Sequence, residues 1–97
     1  MGVCYDAMIV VGLPIEEIDP ETFDPSDAED KDLMVVSPYY DAPYSDSLVG
    51  VLIASAGSYS WEPLDVDGMP AEIEKARALF KRATGLDARV FITTYGY

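Results

Sequence analysis

The sequence predicts an α+β fold: a single compact domain spanning residues 1–97, in which a three- to four-stranded sheet, mixed or antiparallel, carries one long helix on one face. Three observations lead there. Residues 48–56, Leu-Val-Gly-Val-Leu-Ile-Ala-Ser-Ala, are apolar at both alternating positions and bounded by Ser47 and Gly57-Ser58, which reads as a strand buried on both sides. One segment, from Met69 onward, repeats apolar residues at helical spacing. The chain has 97 residues, enough for one hydrophobic core and too few for two.

Taken in order, Cys4 to Leu13 forms a first strand ended by Pro14, with Met8 to Val11 apolar on both faces and Asp6 toward the exposed end. It is the natural neighbour of the 48–56 strand. Cys4 reads as a small packed hydrophobe, because a chain without histidine has nothing of that kind to activate a thiolate. Residues 15–32 hold nine acids and two prolines. Asp24 caps a short helix from Pro25 to about Lys31, with Asp27 and Glu29 near the positive end of its dipole, and Ile15, Ile18 and Phe23 pin the segment to the core. An ordered acidic protrusion is expected, not a free tail.

Leu33 to Ser37 is a short strand closed by Pro38. Residues 39–47, Tyr-Tyr-Asp-Ala-Pro-Tyr-Ser-Asp-Ser, form a loop longer than a common hairpin turn, which suits either a binding element or the cover of a sheet edge. Past Gly57 an extended or bulged strand puts Tyr59 and Trp61 on one face. Asp65 to Gly68 turns and caps the helix, whose apolar set is Met69, Ile73, Ala76, Leu79 or Phe80, and Ala83. Lys81 and Arg82 sit near its end, and Gly85 stops it. Val90 to Tyr95 is the last strand, with Phe91 and Tyr95 pointing one way. Strand 48–56, helix and last strand would make a right-handed parallel crossover, and with it a mixed sheet.

The formal charge is −12, unevenly placed. Residues 1–67 contain fifteen acids and one base, Lys31, whereas residues 68–97 contain three acids and five bases. Such a chain repels nucleic acid and anionic membrane and attracts basic surfaces. A general adaptation to high salt would acidify the helix and last strand as well, although three lysines against eleven aspartates fit that reading. No stretch approaches the roughly 20 apolar residues of a membrane span, and the amino terminus lacks a secretion signal. Met1-Gly2 is a partial acylation pattern, against which Asp6 stands where Ser or Thr is wanted.

Catalytic chemistry finds little support. Every histidine-based constellation is absent, Ala54 to Ser58 lacks the glycine spacing and lysine of a phosphate loop, and no carboxylate pair sits in apolar context. A non-enzymatic protein without cofactor or metal is expected. Asp65 to Gly68 and Asp24 to Asp32 offer oxygen ligands but not the twelve-residue calcium loop. A small ligand-binding or enzymatic domain, its acidity serving solubility alone, is the alternative, with a pocket built from Tyr5, Tyr59, Trp61 and Tyr95.

Duplex DNA carries one charge per about 1.7 Å of axis, so proteins that hold it present rows of Lys and Arg. Carboxylates about 6.6 Å apart on a strand, or on neighbouring helical turns, can occupy those rows. Asp24, Asp27, Glu29, Asp30 and Asp32 have that spacing, with Glu16, Glu17, Asp19 and Glu21 nearby. Tyr39, Tyr40 and Asp41 flank them, and Tyr44 and Trp61 add aromatic anchors. In size, charge, tyrosine content and the segment Glu16 to Asp32, the chain resembles the small phage-encoded inhibitors of bacterial defence, anti-CRISPR proteins and related DNA mimics. The resemblance implies a cytoplasmic inhibitor, in the host cell if phage-encoded. Its partner would be a basic nucleic-acid-binding protein or complex, such as a bacterial defence complex, blocked stoichiometrically without contact to nucleic acid or membrane. A homodimer through the edge strand 90–95 is a further expectation.

Overall fold

The computed structural model describes residues 5–96; Cys4 and the partial acylation pattern lie outside them. The regular elements are β1 (Tyr5–Pro14), β2 (Met34–Val36), β3 (Leu48–Ala56), α1 (Met69–Thr84) and β4 (Arg89–Gly96), with short 3-10 turns between β1 and β2 and before β3. The sheet order is β2-β3-β1-β4, and every neighbouring pair is antiparallel. Strands β3 and β4 therefore run parallel to each other, as a helical crossover requires, but β1 lies between them. The sheet is consequently antiparallel throughout and not mixed.

Register assigns the faces. Asp6, Met8, Val10 and Gly12 share one face with Phe91, Thr93 and Tyr95 of β4 and with Leu48 and Gly50 of β3; Val11 and Leu13 share the other with Val49 and Val51. Helix α1 packs on the second face, over β3 and β1. There Val11, Val49, Ala76, Phe80 and Ala88 form one core with Ile15, Ile18, Phe23, Ala28 and Leu33 from the acidic segment. Phe80 is wholly buried. The helix starts where Asp65 accepts hydrogen bonds from the Gly68 and Met69 amides, and it ends at Gly85, whose φ of 78° suits a residue without Cβ. Thr84 is buried but satisfied, its hydroxyl donating to the Phe80 carbonyl and accepting from the Leu86 amide.

The first face closes by coiling. Gly12 is paired with Gly50, and a Cβ on either would fall on main chain of the opposite strand, the Val49 or the Val11 carbonyl oxygen. Only glycine permits that approach. Opposite corners of the sheet then meet: the Gly96 amide of β4 donates to the carbonyl of Ser37, just past β2, at 3.2 Å, and the Thr94 hydroxyl donates to the Pro38 carbonyl. Met8, Val10 and Val36 are buried inside the coil, with Met34, Leu48 and Tyr95 against them. A twisted sheet of four strands thereby buries a core on each face with a single helix.

Three expectations are corrected. Strand β3 is buried at Val49 and Gly50, whereas Leu52 and Ser55 are exposed. The cause is partial cover together with a bulge at Ile53, where Val10 pairs with Leu52 and Ile9 with Ala54. The strand does not continue past Ala56: the chain turns at Gly57 to Ser60, with Tyr59 at φ 61°, leaving Tyr59 and Trp61 exposed. Between Pro25 and Lys31 there is no α-helix but two 3-10 turns, Pro25–Asp27 and Glu29–Lys31, ended by Asp32 in the left-handed region. So short and acidic a segment cannot meet the cost of helix nucleation, and i to i+3 bonds suffice to fix it.

Candidate functional site

The acidic segment is a ridge made by alternation. Ile15, Ile18, Phe23, Pro25, Ala28 and Leu33 are buried, so Glu16, Glu17, Asp19, Glu21, Asp24, Asp27, Glu29, Asp30 and Asp32 between them are exposed. Local hydrogen bonds hold the turns. The Asp19 carboxylate accepts from the Glu21 amide at 2.9 Å, and that of Asp24 from the Ser26 amide at 3.0 Å. The Ser26 backbone bond, helped by the Ser26 side chain, holds the Asp24 carboxyl below its ordinary value. The one base of the segment, Lys31, is turned back toward the protein: its Nζ reaches the Ala83 carbonyl at the end of α1 at 3.5 Å and lies 6.0 Å from the centre of the Phe23 ring. The outward surface is left to carboxylates.

The tyrosine loop joins this ridge. The Ile15 amide donates to the Ser47 carbonyl at 2.9 Å, and the turn Tyr44–Asp46 packs on the turn Ile15–Glu17. Tyr39 donates its hydroxyl to Asp46 at 2.7 Å, and that bond to a carboxylate raises the Tyr39 pKa. Burial, and then the charge of Asp24, raises that of Tyr44. Tyr44 also lines, with Pro25, Ala28, Glu29 and Leu33, an open groove of about 590 Å³ between ridge and β2. Tyr40 and Asp41 are exposed, Asp41 at φ 61°, where the loop passes Gly96.

Some residues belong elsewhere. Trp61 lies past Ala56, at the end of β3 opposite Ser47 and Tyr44, about 26 Å away along a strand of nine residues, so it does not flank the ridge. Nor do Tyr5, Tyr59, Trp61 and Tyr95 build a pocket. Tyr5 and Tyr95 point to opposite faces of the sheet, and the groove at that end is lined instead by Ala7, Ile9, Ala54, Pro63, Leu64 and Ile92, with Glu62 as its only ionisable group. Two relevant residues had no local signal. Asp46 orients Tyr39, and Arg89 pairs with Glu17 at 2.6 Å across 72 positions of sequence. That pair removes Glu17 from the set of uncompensated carboxylates.

Among the described residues no helix is long and apolar enough to cross a membrane, and no three metal-ligating side chains gather. Comparison with protein-family models, with curated proteins and with solved structures finds no match to this chain.

Proposed function

We propose that the chain is a non-enzymatic inhibitor whose acidic ridge blocks a basic, nucleic-acid-binding site on a partner protein in the cytoplasm, as in the phage-encoded DNA mimics its sequence resembles. One observation carries the reading: every exposed position from Glu16 to Asp30 that bears a charge bears a carboxylate, on a segment anchored in the core, with its one base, the exposed Lys31, reaching back to the Ala83 carbonyl. Carboxylates held in place meet a row of Arg and Lys without the ordering cost that a flexible acidic tail incurs. Tyr39, Tyr40 and Tyr44 supply apolar area beside the charge, where bidentate arginine pairs need it. Tagged protein incubated with bacterial lysate should retain a nucleic-acid-binding complex that added duplex DNA displaces. The quadruple variant Glu21→Ser, Asp27→Ser, Glu29→Ser and Asp30→Ser should retain nothing while folding normally. Capture that is indifferent to DNA and to this variant refutes the proposal.

A further inference from the structure

We infer that the groove between the ridge and β2 is a socket for one arginine side chain, presented by the basic partner of the ridge. That the arginine comes from this partner rests on the function proposed above; the preference for arginine rests on the groove itself. Pro25, Ala28, Leu33 and Val35 give the groove apolar surface, Tyr44 adds a half-exposed ring, and Glu29 is its only charged group.

An open main-chain position lies beside it. The Ser47 carbonyl accepts from the Ile15 amide, so Ser47 and Val49 turn their main-chain groups toward β1, and Leu48 and Gly50 turn theirs toward β2. Leu48 and Gly50 pair with Val36 and Met34, which leaves the amide and carbonyl of Val35 pointing away from β3. On that side the Ala28 carbonyl takes the Leu33 amide at 2.9 Å, and the Ser37 carbonyl takes the Gly96 amide at 3.2 Å. Among the described residues no main-chain bond closes the edge at Val35 between them. Leu33 and Ser37 are about 13 Å apart along the strand, so with Ala28 and Gly96 seated at the two ends no further strand fits in the plane of the sheet. A side chain does.

Chemistry selects that side chain. The groove offers apolar surface for a long aliphatic stem, a ring face for a planar cation, a carboxylate in Glu29 and an acceptor in the Val35 carbonyl. A guanidinium meets the last three together, because its five N–H donors lie in one plane that stacks on an aromatic ring and forks onto a carboxylate. An ammonium is compact and strongly hydrated and gains less from the ring. The charge of Asp24 is felt at Tyr44 and adds to the negative potential, while Lys31, the one base of the segment, is held at the Ala83 carbonyl and does not compete. A second copy of this chain is a poor occupant, since it brings a net charge of −12 and carries its bases, apart from Lys31, within α1 and β4.

Titration of the full chain with acetyl-Gly-Arg-Gly-amide, followed by NMR in about 0.15 M salt, tests the socket with no partner present. The peptide should give saturable shifts at Glu29, Val35 and Tyr44. The lysine counterpart should bind about tenfold more weakly, and the citrulline counterpart, of the same shape without the charge, not at all. Tyr44→Ala should weaken the arginine peptide about two- to fivefold while Tyr44→Phe retains it, and Glu29→Gln should abolish saturation, with the fold of each variant read from the same spectra. Absence of saturation, equal binding of the arginine and lysine peptides, shifts spread along the whole ridge as general counterion association would give, or binding indifferent to Tyr44→Ala overturns the proposal. The reading of the ridge fails by a different result, capture from lysate that DNA does not displace, and that result leaves the titration unaltered.

Discussion

Tyr39 and Tyr44 both titrate above 10.0 but for different reasons, and the difference can be measured. The Asp46 carboxylate is the main cause at Tyr39, so Asp46→Ala should bring the tyrosinate absorbance of Tyr39 back toward pH 10; at Tyr44 burial is the main cause, so Asp24→Asn should move its titration less. Because the folded pKa of Tyr39 is raised, its contribution to stability is complete below pH 10 and is lost as pH rises through the raised value. Asp24 has the opposite sign: its folded pKa is lowered from 3.8, so its contribution is present above that pH and is lost as pH falls through the lowered value. Gly12 and Gly50 act through space and not through charge. Gly12→Ala puts a methyl group on the Val49 carbonyl, for which strain of about 1–3 kcal/mol is expected. Thermal denaturation should show it as a fall of about 4–8 °C per kcal/mol.

Each element shows its pattern in a different degree. The helical spacing from Met69 to Ala83 and the stop at Gly85 are legible because an amphipathic helix repeats its instruction every turn. Phe80 rather than Leu79 is the wholly buried member of that set, and Phe80→Ala should cost about 3–5 kcal/mol in chemical denaturation, since it joins helix, sheet and acidic segment in one core. The acidic segment was legible in its anchors, Ile15, Ile18 and Phe23, and less so in its backbone, because short turns are chosen by local hydrogen bonds and not by periodicity. Its pairing with β4 through Glu17 and Arg89 is a half-exposed contact. Arg89→Ala should therefore change stability by less than about 1 kcal/mol and leave the ridge in place.

At the scale of the molecule, fifteen of the eighteen acids precede Gly68, and nine crowd one ridge, so self-repulsion is local. Added salt should raise the melting temperature by screening it, and the quadruple serine variant should show a smaller salt dependence. The sequence by itself determined the α+β class, the residues of β3 and α1, the acidic character of one side, and which apolar residues hold that side down, because each of these is written in neighbouring residues. It left open whether the sheet was mixed and how the tyrosine loop related to the acids. Only the tertiary structure decided that β1 stands between β3 and β4, that the sheet coils about the paired glycines until Ser37 meets Gly96, and that Arg89 takes up Glu17. These depend on contacts between residues far apart in the chain, where strand order and coil follow from how two faces are buried at once and no local pattern records the choice.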